Sequence, residues 1–375
     1  MTVEDSNLRS RRKAEHMEAV RTLGDTPAAS WFQDVKLLPN CAPEVDVADV
    51  SLATTLCGVK LASPIVINAM TGGTEEALVV NQRLARLARR YGLAMAVGSE
   101  TAAVRDATWE HTYTVVRDEH PEGAVIANVG MSAPTETALA AVELLHANLL
   151  QIHWNVAQEM FMAEGDRAFH GALDRLAETV SRVDVPVIAK EVGQGVAAPE
   201  AVRFVQAGVS AIDVGGRGGT NFMAVEVWRQ GEALDDDWQD WGIPTPVALC
   251  EVVQAVGKKV DVVASGGIRT GHDIAKAVAL GASAVGIAGP LLRLVSRPDG
   301  EAAVAGFIEH LHDTLRKLLV LTGSRTWADL RKRPVVIRGD VRDWLVARGM
   351  ATFISEVGSR DERLHSDTHM GFRLR

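Results

Sequence analysis

The chain has 375 residues, 47% hydrophobic and 23% charged, an ordinary globular balance with enough apolar material for one large core or two smaller ones. Its 39 basic against 48 acidic side chains leave a formal charge of −9, which argues against a general nucleic-acid or membrane surface while leaving room for a local basic pocket. Cys41, Cys57 and Cys250 lack metal-ligand spacing and are too few for a disulfide scaffold; no run reaches transmembrane length and the N-terminal stretch is charged, so a reduced, cytoplasmic setting is expected.

Residues 1–60 read as irregular, apart from a charged helix-like start near 11–21. Regularity begins at Pro64. Short apolar runs at 65–68, 94–97, 125–128, 149–153, 187–190, 211–214, 262–264 and 284–287 read as strands. Segments of helical period lie between or after them, at 77–91, 135–146, 167–183, 199–207, 247–256, 271–280 and 301–321. Eight strands with a helical segment after nearly every one predict an α/β fold of the (β/α)₈ TIM-barrel type. A doubly wound open sheet would give no reason for the count of eight. The stretch 221–244, with Trp228, Trp238 and Trp241, interrupts the alternation and reads as an extended loop after the sixth strand, lying over the barrel mouth. The expected organisation is an N-terminal extension over 1–60, the barrel over 61–330 and a C-terminal extension over 331–375.

Polar and glycine residues recur at the C-terminal end of every strand, where such barrels carry their chemistry. The densest set is Gln151–Glu159, reading QIHWNVAQE. Alternation in a strand points His153 and Asn155 to one side, with Gln158 and Glu159 just beyond. The competing reading is a hydrogen-bonded loop anchor. After the seventh and eighth strands, Ser265-Gly266-Gly267-Ile268-Arg269 and Gly286-Ile287-Ala288-Gly289 let backbone N–H groups approach an anion, the usual barrel phosphate site, unless these glycines only make tight turns. Gly215–Thr220 is a second flexible loop. Lys190 ends the fifth strand, where either Glu191 neutralises its ammonium or it faces an electron-rich cofactor edge such as a flavin N1–C2=O. Arg12, Lys13 and His16 form either a solvated tail or a clamp for a diphosphate. Glu159, a lone carboxylate, suits one Mg²⁺ completed by water and substrate phosphates.

In order along the chain, Arg12-Lys13-x-x-His16, Ala69-Met70-Thr71-Gly72-Gly73, Val97-Gly98-Ser99, Gln151-Ile152-His153-x-Asn155-x-x-Gln158-Glu159, Lys190-Glu191-Val192-Gly193, Gly216-Arg217-Gly218-Gly219-Thr220 and Ser265-Gly266-Gly267-Ile268-Arg269 resemble the type 2 isopentenyl diphosphate isomerases. The resemblance implies a flavin-dependent barrel enzyme that interconverts isopentenyl and dimethylallyl diphosphate with reduced FMN, the reductant being NAD(P)H or another donor. It implies FMN contacts at Ala69, Met70, Thr71, Ser99, Asn128, Lys190, Thr220, Gly267, Ile268, Arg269, Ala288 and Gly289. The prenyl diphosphate would meet Arg12, Lys13, His16, His153, Asn155 and Gln158, with Mg²⁺ on Glu159. Gln158, His153 and Lys190 would stand nearest the chemistry. Members of the family commonly form homo-tetramers or homo-octamers.

Two departures stand out. Many relatives carry Gln and then Arg after the serine equivalent to Ser99, the arginine reaching the diphosphate; here Glu100 and Thr101 stand there, and Glu100 is expected to add a repelling charge. Arg105 would reach back if the segment begins a helical turn. Trp154, where relatives have a small or aliphatic residue, is expected to reshape the prenyl pocket or to change the substrate to another prenyl or terpenoid compound. A 2-hydroxy acid oxidase would need a late His closely followed by Arg, and a dehydrogenase of the inosine monophosphate type a Cys after the sixth strand; neither is found. A catalytically silent barrel would be marked by loss of Lys190, Gln158 or Glu159.

Overall fold

The computed structural model describes residues 3–24 and 31–360. In chain order the strands are β1 (Val35–Leu37), β2 (Thr54–Leu56), β3 (Val59–Leu61), β4 (Ile65–Ile67), β5 (Ala94–Ala96), β6 (Val125–Gly130), β7 (Leu149–Trp154), β8 (Val187–Glu191), β9 (Ala211–Asp213), β10 (Asp261–Ser265), β11 (Ala284–Ile287) and β12 (Val335–Ile337). β4 to β11 form a closed barrel of eight parallel strands, and β11 returns to β4 through Val285↔Ile65 and Ile287↔Ile67. All eight expected strands are present, with ends displaced by no more than two residues.

The apolar runs form strands because both of their faces are covered. Along β7, Leu149 packs inside the barrel with Ile126 and Ile188, whereas Leu150 and Ile152 pack outward against the helices. The hairpin β2–β3 plugs the N-terminal end of the barrel. Its Leu56 and Leu61 join that inner cluster, and the backbone N–H of Cys57 donates to Asp261 Oδ2 at 2.6 Å. Catalytic space is therefore left at the other end.

The helices start where side chains can cap them. Thr74 accepts from Ala77 N and opens Glu75–Tyr91; Thr270 and Asp273 make a reciprocal capping box for Gly271–Leu280. The helix expected over 167–183 spans Ala172–Arg182, because residues before it form an irregular loop tied by the Arg167 guanidinium to Met162 O at 2.8 Å.

Two expectations are corrected. The stretch 221–244 is not all loop: Asn221 accepts from Met223 N and Ala224 N and caps a helix, Phe222–Arg229, with a further turn at Asp236–Gln239. The first 60 residues are also more regular than expected, since a helix runs over Val3–Leu23. β1 and β12 then pair antiparallel (Val35↔Ile337, Leu37↔Val335), joining chain segments from before and after the barrel. Within the expected C-terminal extension, helices Gly339–Ala347 and Ala351–Gly358 follow β12, and residues 361–375 lie outside the described part.

Candidate active site

A cavity of about 560 Å³ opens at the C-terminal ends of the barrel strands. One wall is the helix Val3–Leu23, which contributes Arg12, Lys13, His16, Met17 and Val20. The charge run near the N-terminus is thus part of a pocket rather than a solvated tail. Every expected site residue except Arg269 lines this space: Ala69, Met70, Thr71, Ser99, Asn128, Lys190, Thr220, Gly267, Ile268, Ala288 and Gly289, and Arg12, Lys13, His16, His153, Asn155, Gln158 and Glu159.

Beneath the cavity lies a buried polar layer. Asp213 accepts from Asn68 Nδ2 at 2.8 Å and from Ser265 Oγ at 2.5 Å, and Gln151 Nε2 donates to Asn68 Oδ1 at 3.2 Å. Gly286 is required here, because a Cβ would reach 2.5 Å from Asn68 Nδ2. Above this layer, His153 Nδ1 donates to Asn128 Oδ1 at 2.9 Å, while Asn128 Nδ2 donates to Val97 O at 3.1 Å. Burial, and then the neighbouring Lys190, push the His153 imidazolium down to about 4, so the bare pocket holds a neutral ring. Adjacent strand residues point opposite ways, so the Glu191 carboxylate does not accept a hydrogen bond from the Lys190 ammonium. Its Nζ stays in the cavity and donates to Glu191 O at 2.7 Å, whereas the Glu191 carboxylate turns away and accepts from Gly193 N at 2.6 Å, Gln194 N at 2.5 Å and Gly195 N at 3.1 Å. Burial raises Glu191 to about 7 despite those three donors.

The glycines after β9 and β10 do two jobs. Gly218 and Gly267 have φ of 141° and 76°, and the two loops lie backbone on backbone, so a Cβ at Gly267 would run into Gly218 O. The Arg269 guanidinium stitches them, donating to Gly267 O and Gly218 O at 2.6 Å each. It braces the two loops of this glycine cradle from behind and is not among the residues that line the cavity. The N–H groups of Gly266, Gly267, Ala288 and Gly289 remain at the cavity wall, where a phosphate monoester fits the donor set.

On the opposite side, helix Val156–Phe161 follows β7 and brings Gln158 and Glu159 to the rim. Asn155 Nδ2 donates to Glu159 Oε1 at 2.7 Å and reaches Gln158 Oε1 at 3.3 Å. Gln158 Nε2 donates to Glu226 Oε1 at 2.6 Å, and His16 Nε2 meets the same oxygen at 2.8 Å. Arg229, one turn on, holds Glu226 Oε2 at 2.5 Å. Burial alone would raise the Glu226 carboxyl, but His16, Gln158 and Arg229 together hold it at about 2. Glu226 was missed in the sequence, because it lies in the stretch read as loop; the cue was an Asn followed by an apolar octet with Glu and Arg three apart.

Both sequence departures change meaning in three dimensions. Glu100 is fully buried and does not line the cavity. Its Oε2 accepts from Asn128 N at 2.8 Å, and burial holds its carboxyl well above the usual carboxylate range; the side chain is turned from the cavity and does not face the substrate space. Trp154 is on the outward face of β7, against Phe204 at 5.0 Å between ring centroids, and leaves the pocket's shape alone. Thr101 and Arg105 do line the cavity, at the two ends of a short helix, Thr101–Arg105. The rim therefore carries both signs of charge, the cations Arg12, Lys13 and Arg105 and the carboxylates Glu159, Glu164 and Asp166, with Arg12 and Glu164 paired at 3.9 Å. Among the described residues no three His, Cys, Asp or Glu side chains converge as a metal cluster, and no helix is long and apolar enough to cross a membrane.

A closed barrel of eight parallel strands with a glycine-lined cavity at their C-terminal ends defines a class, the (β/α)₈ barrel proteins. The family model described as FMN-dependent dehydrogenase matches residues 127–337. Solved structures with the same fold include a mandelate oxidase variant with a monooxide FMN adduct (TM-score 0.61, 21% identity, covering 86% of this chain and 92% of that one). A putative lactate oxidase from Pediococcus acidilactici also matches (TM-score 0.61, 16% identity, 86% and 87% covered). These likenesses concern the fold alone. Curated relatives named isopentenyl-diphosphate delta-isomerase are nearer in sequence: that of Symbiobacterium thermophilum is 43% identical over 95% of this chain and 100% of its own length. That of Methanothermobacter thermautotrophicus is 39% identical over 92% of this chain and 97% of its own. The chain belongs to the isopentenyl-diphosphate delta-isomerase family.

Proposed function

We propose that the protein interconverts isopentenyl and dimethylallyl diphosphate at this cavity, with FMN in the cradle. The observation that carries the reading is the cavity itself: eleven of the twelve expected flavin residues and all the expected substrate residues face one space. Its volume suits a flavin with a small ligand beside it. The N–H groups of Gly266, Gly267, Ala288 and Gly289 would hold the FMN phosphate, and Lys190 would face the pyrimidine edge of the ring. Bound and reduced, FMN supplies an exchangeable hydrogen at N5, an acid–base group for moving a double bond. The chain's own groups bind and orient. Arg12, Lys13 and Arg105 grip the diphosphate, and Glu159 with water holds one Mg²⁺. The arriving negative charge lets His153 take up a proton and donate to a phosphate oxygen. Gln158, fixed by Glu226 and Asn155, orients the five-carbon chain. NAD(P)H serves as reductant, and the protein assembles as a homo-tetramer or homo-octamer, a reading to which the exposed apolar side chains of Val156, Met160, Trp238 and Trp241 lend support.

The direct test uses FMN-loaded protein, reduced anaerobically, with isopentenyl diphosphate and Mg²⁺ in D₂O. Dimethylallyl diphosphate carrying deuterium should form without net flavin oxidation. Equal turnover with oxidised flavin, or none with reduced, defeats the proposal. The diphosphate grip gives a second test. Arg105 lines the cavity one helical turn from Thr101, so Arg105→Ala should raise KM for isopentenyl diphosphate about ten-fold, since one charge-assisted contact is worth roughly 1.5–3 kcal/mol. Thr101→Arg should lower it. An unchanged KM in both variants would remove Arg105 from the site.

A further inference from the structure

We propose that Tyr113, which does not reach the cavity, is the positioning residue that holds the Lys13 ammonium at the cavity wall for a diphosphate. The inference deepens the diphosphate reading above and rests on it. It starts from the pair Gly72-Gly73. Thr112 Oγ1 accepts from Gly73 N at 2.8 Å, and Asn81 Nδ2 donates to Thr112 O at 2.8 Å and Thr71 O at 3.3 Å. These bonds pin the start of helix His111–Glu119 against the loop after β4 and place the Tyr113 ring directly under Gly72, where a Cβ would run into it. At Gly73, φ is 78° and a Cβ would come within 2.9 Å of Lys13 Nζ. Both glycines thus leave room for the meeting of Tyr113 and Lys13.

Tyr113 is fully buried, and its hydroxyl donates to Ser99 O at 2.8 Å while accepting from Lys13 Nζ. Lys13 Nζ also donates to Ser99 O at 3.1 Å. Burial, with Glu100 close by, keeps the phenol well above its ordinary range, so it stays a neutral hydroxyl able to give and take a hydrogen bond at once. A lysine stem is among the most flexible side chains, and an ammonium already held by two acceptors loses less freedom when an anion arrives. Tyr113 contributes no atom to the cavity, so its hydroxyl acts on an anion only through its two partners, Lys13 and Ser99, and an effect that vanishes once Lys13 is gone belongs to Lys13.

The test is a double-mutant cycle on FMN-loaded protein, reading inorganic pyrophosphate affinity with Mg²⁺ by calorimetry. Tyr113→Phe keeps the ring beneath Gly72 and removes only the hydroxyl. It should weaken pyrophosphate about three- to ten-fold, with FMN retained. Lys13→Ala should weaken it more, and the double variant should match Lys13→Ala. Additive losses, unchanged affinity in Tyr113→Phe, or loss of FMN together with pyrophosphate would overturn the proposal. Wild-type protein that binds pyrophosphate with this non-additive pattern yet never turns over isopentenyl diphosphate would sink the isomerase reading and uphold this one. Failure of the wild type to bind pyrophosphate would overturn both.

Discussion

Lys190→Ala should lower kcat by about two to three orders of magnitude, the range seen when one preorganised electrostatic contact is removed from a water-poor site. The expectation follows from position. The ammonium is buried, its described hydrogen bond goes to a backbone carbonyl, and the adjacent carboxylate is engaged elsewhere. Its charge therefore remains available to a group in the cavity. If that group is the reduced flavin, removing the charge should also weaken FMN binding and make the two-electron potential more negative by about 30–60 mV, taking 30 mV as roughly 1.4 kcal/mol. Lys190→Arg should restore part of both. A variant with unaltered potential and undiminished FMN affinity would make Lys190 a structural residue.

Glu226→Ala should cost both stability and activity. The buried carboxylate joins three elements: His16 on the N-terminal helix, Gln158 after β7, and Arg229 on its own helix. Removing one member of such a cluster leaves the others poorly paired and is expected to destabilise by about 3 kcal/mol, the lower end of the range because Arg229 keeps Glu15 and Glu164. Gln158 loses the acceptor that orients its amide, and a misplacement of the order of an ångström is enough to lower kcat about a hundred-fold. The sign of the pH dependence is fixed by the direction of the shift. Glu226 sits at about 2 in the folded protein, below the ordinary glutamate value, so its stabilisation is fully present above about 4.3 and is lost as pH falls toward 2. Acid unfolding of Glu226→Ala should lack that component. Overlapping acid transitions for variant and wild type, with equal kcat, would count against the cluster as the site's organiser.

The barrel was legible because its cause is local. A parallel strand covered on both faces reads as a near-continuous apolar run, and the eight runs from 65–68 to 284–287 show it, with polar breaks where a strand faces the site. Polar residues crowded at strand ends have no packing explanation, so His153, Asn155, Gln158, Glu159 and Lys190 could be read as a site before any fold was known. Alternation along β7 separates His153 from Trp154, yet the outward face of Trp154 is certain only once Phe204 is seen to receive it. Arg269 shows the opposite limit: its place in a glycine-rich motif suggested a ligand, and the backbone carbonyls of two loops proved to be its partners.

Length, apolar period and the chemistry of the strand ends were determined by the sequence alone, because each depends on neighbours a few residues away. Ionisation and direction were decided by tertiary structure. Glu100 looks like a repelling charge at the site until it proves buried and turned from the cavity, its carboxyl raised by burial, and Glu226 looks like a loop residue until His16, 210 positions earlier, arrives beside it. A carboxyl's state depends on the water taken from it and the donors brought to it, and those come from segments whose meeting no local pattern encodes.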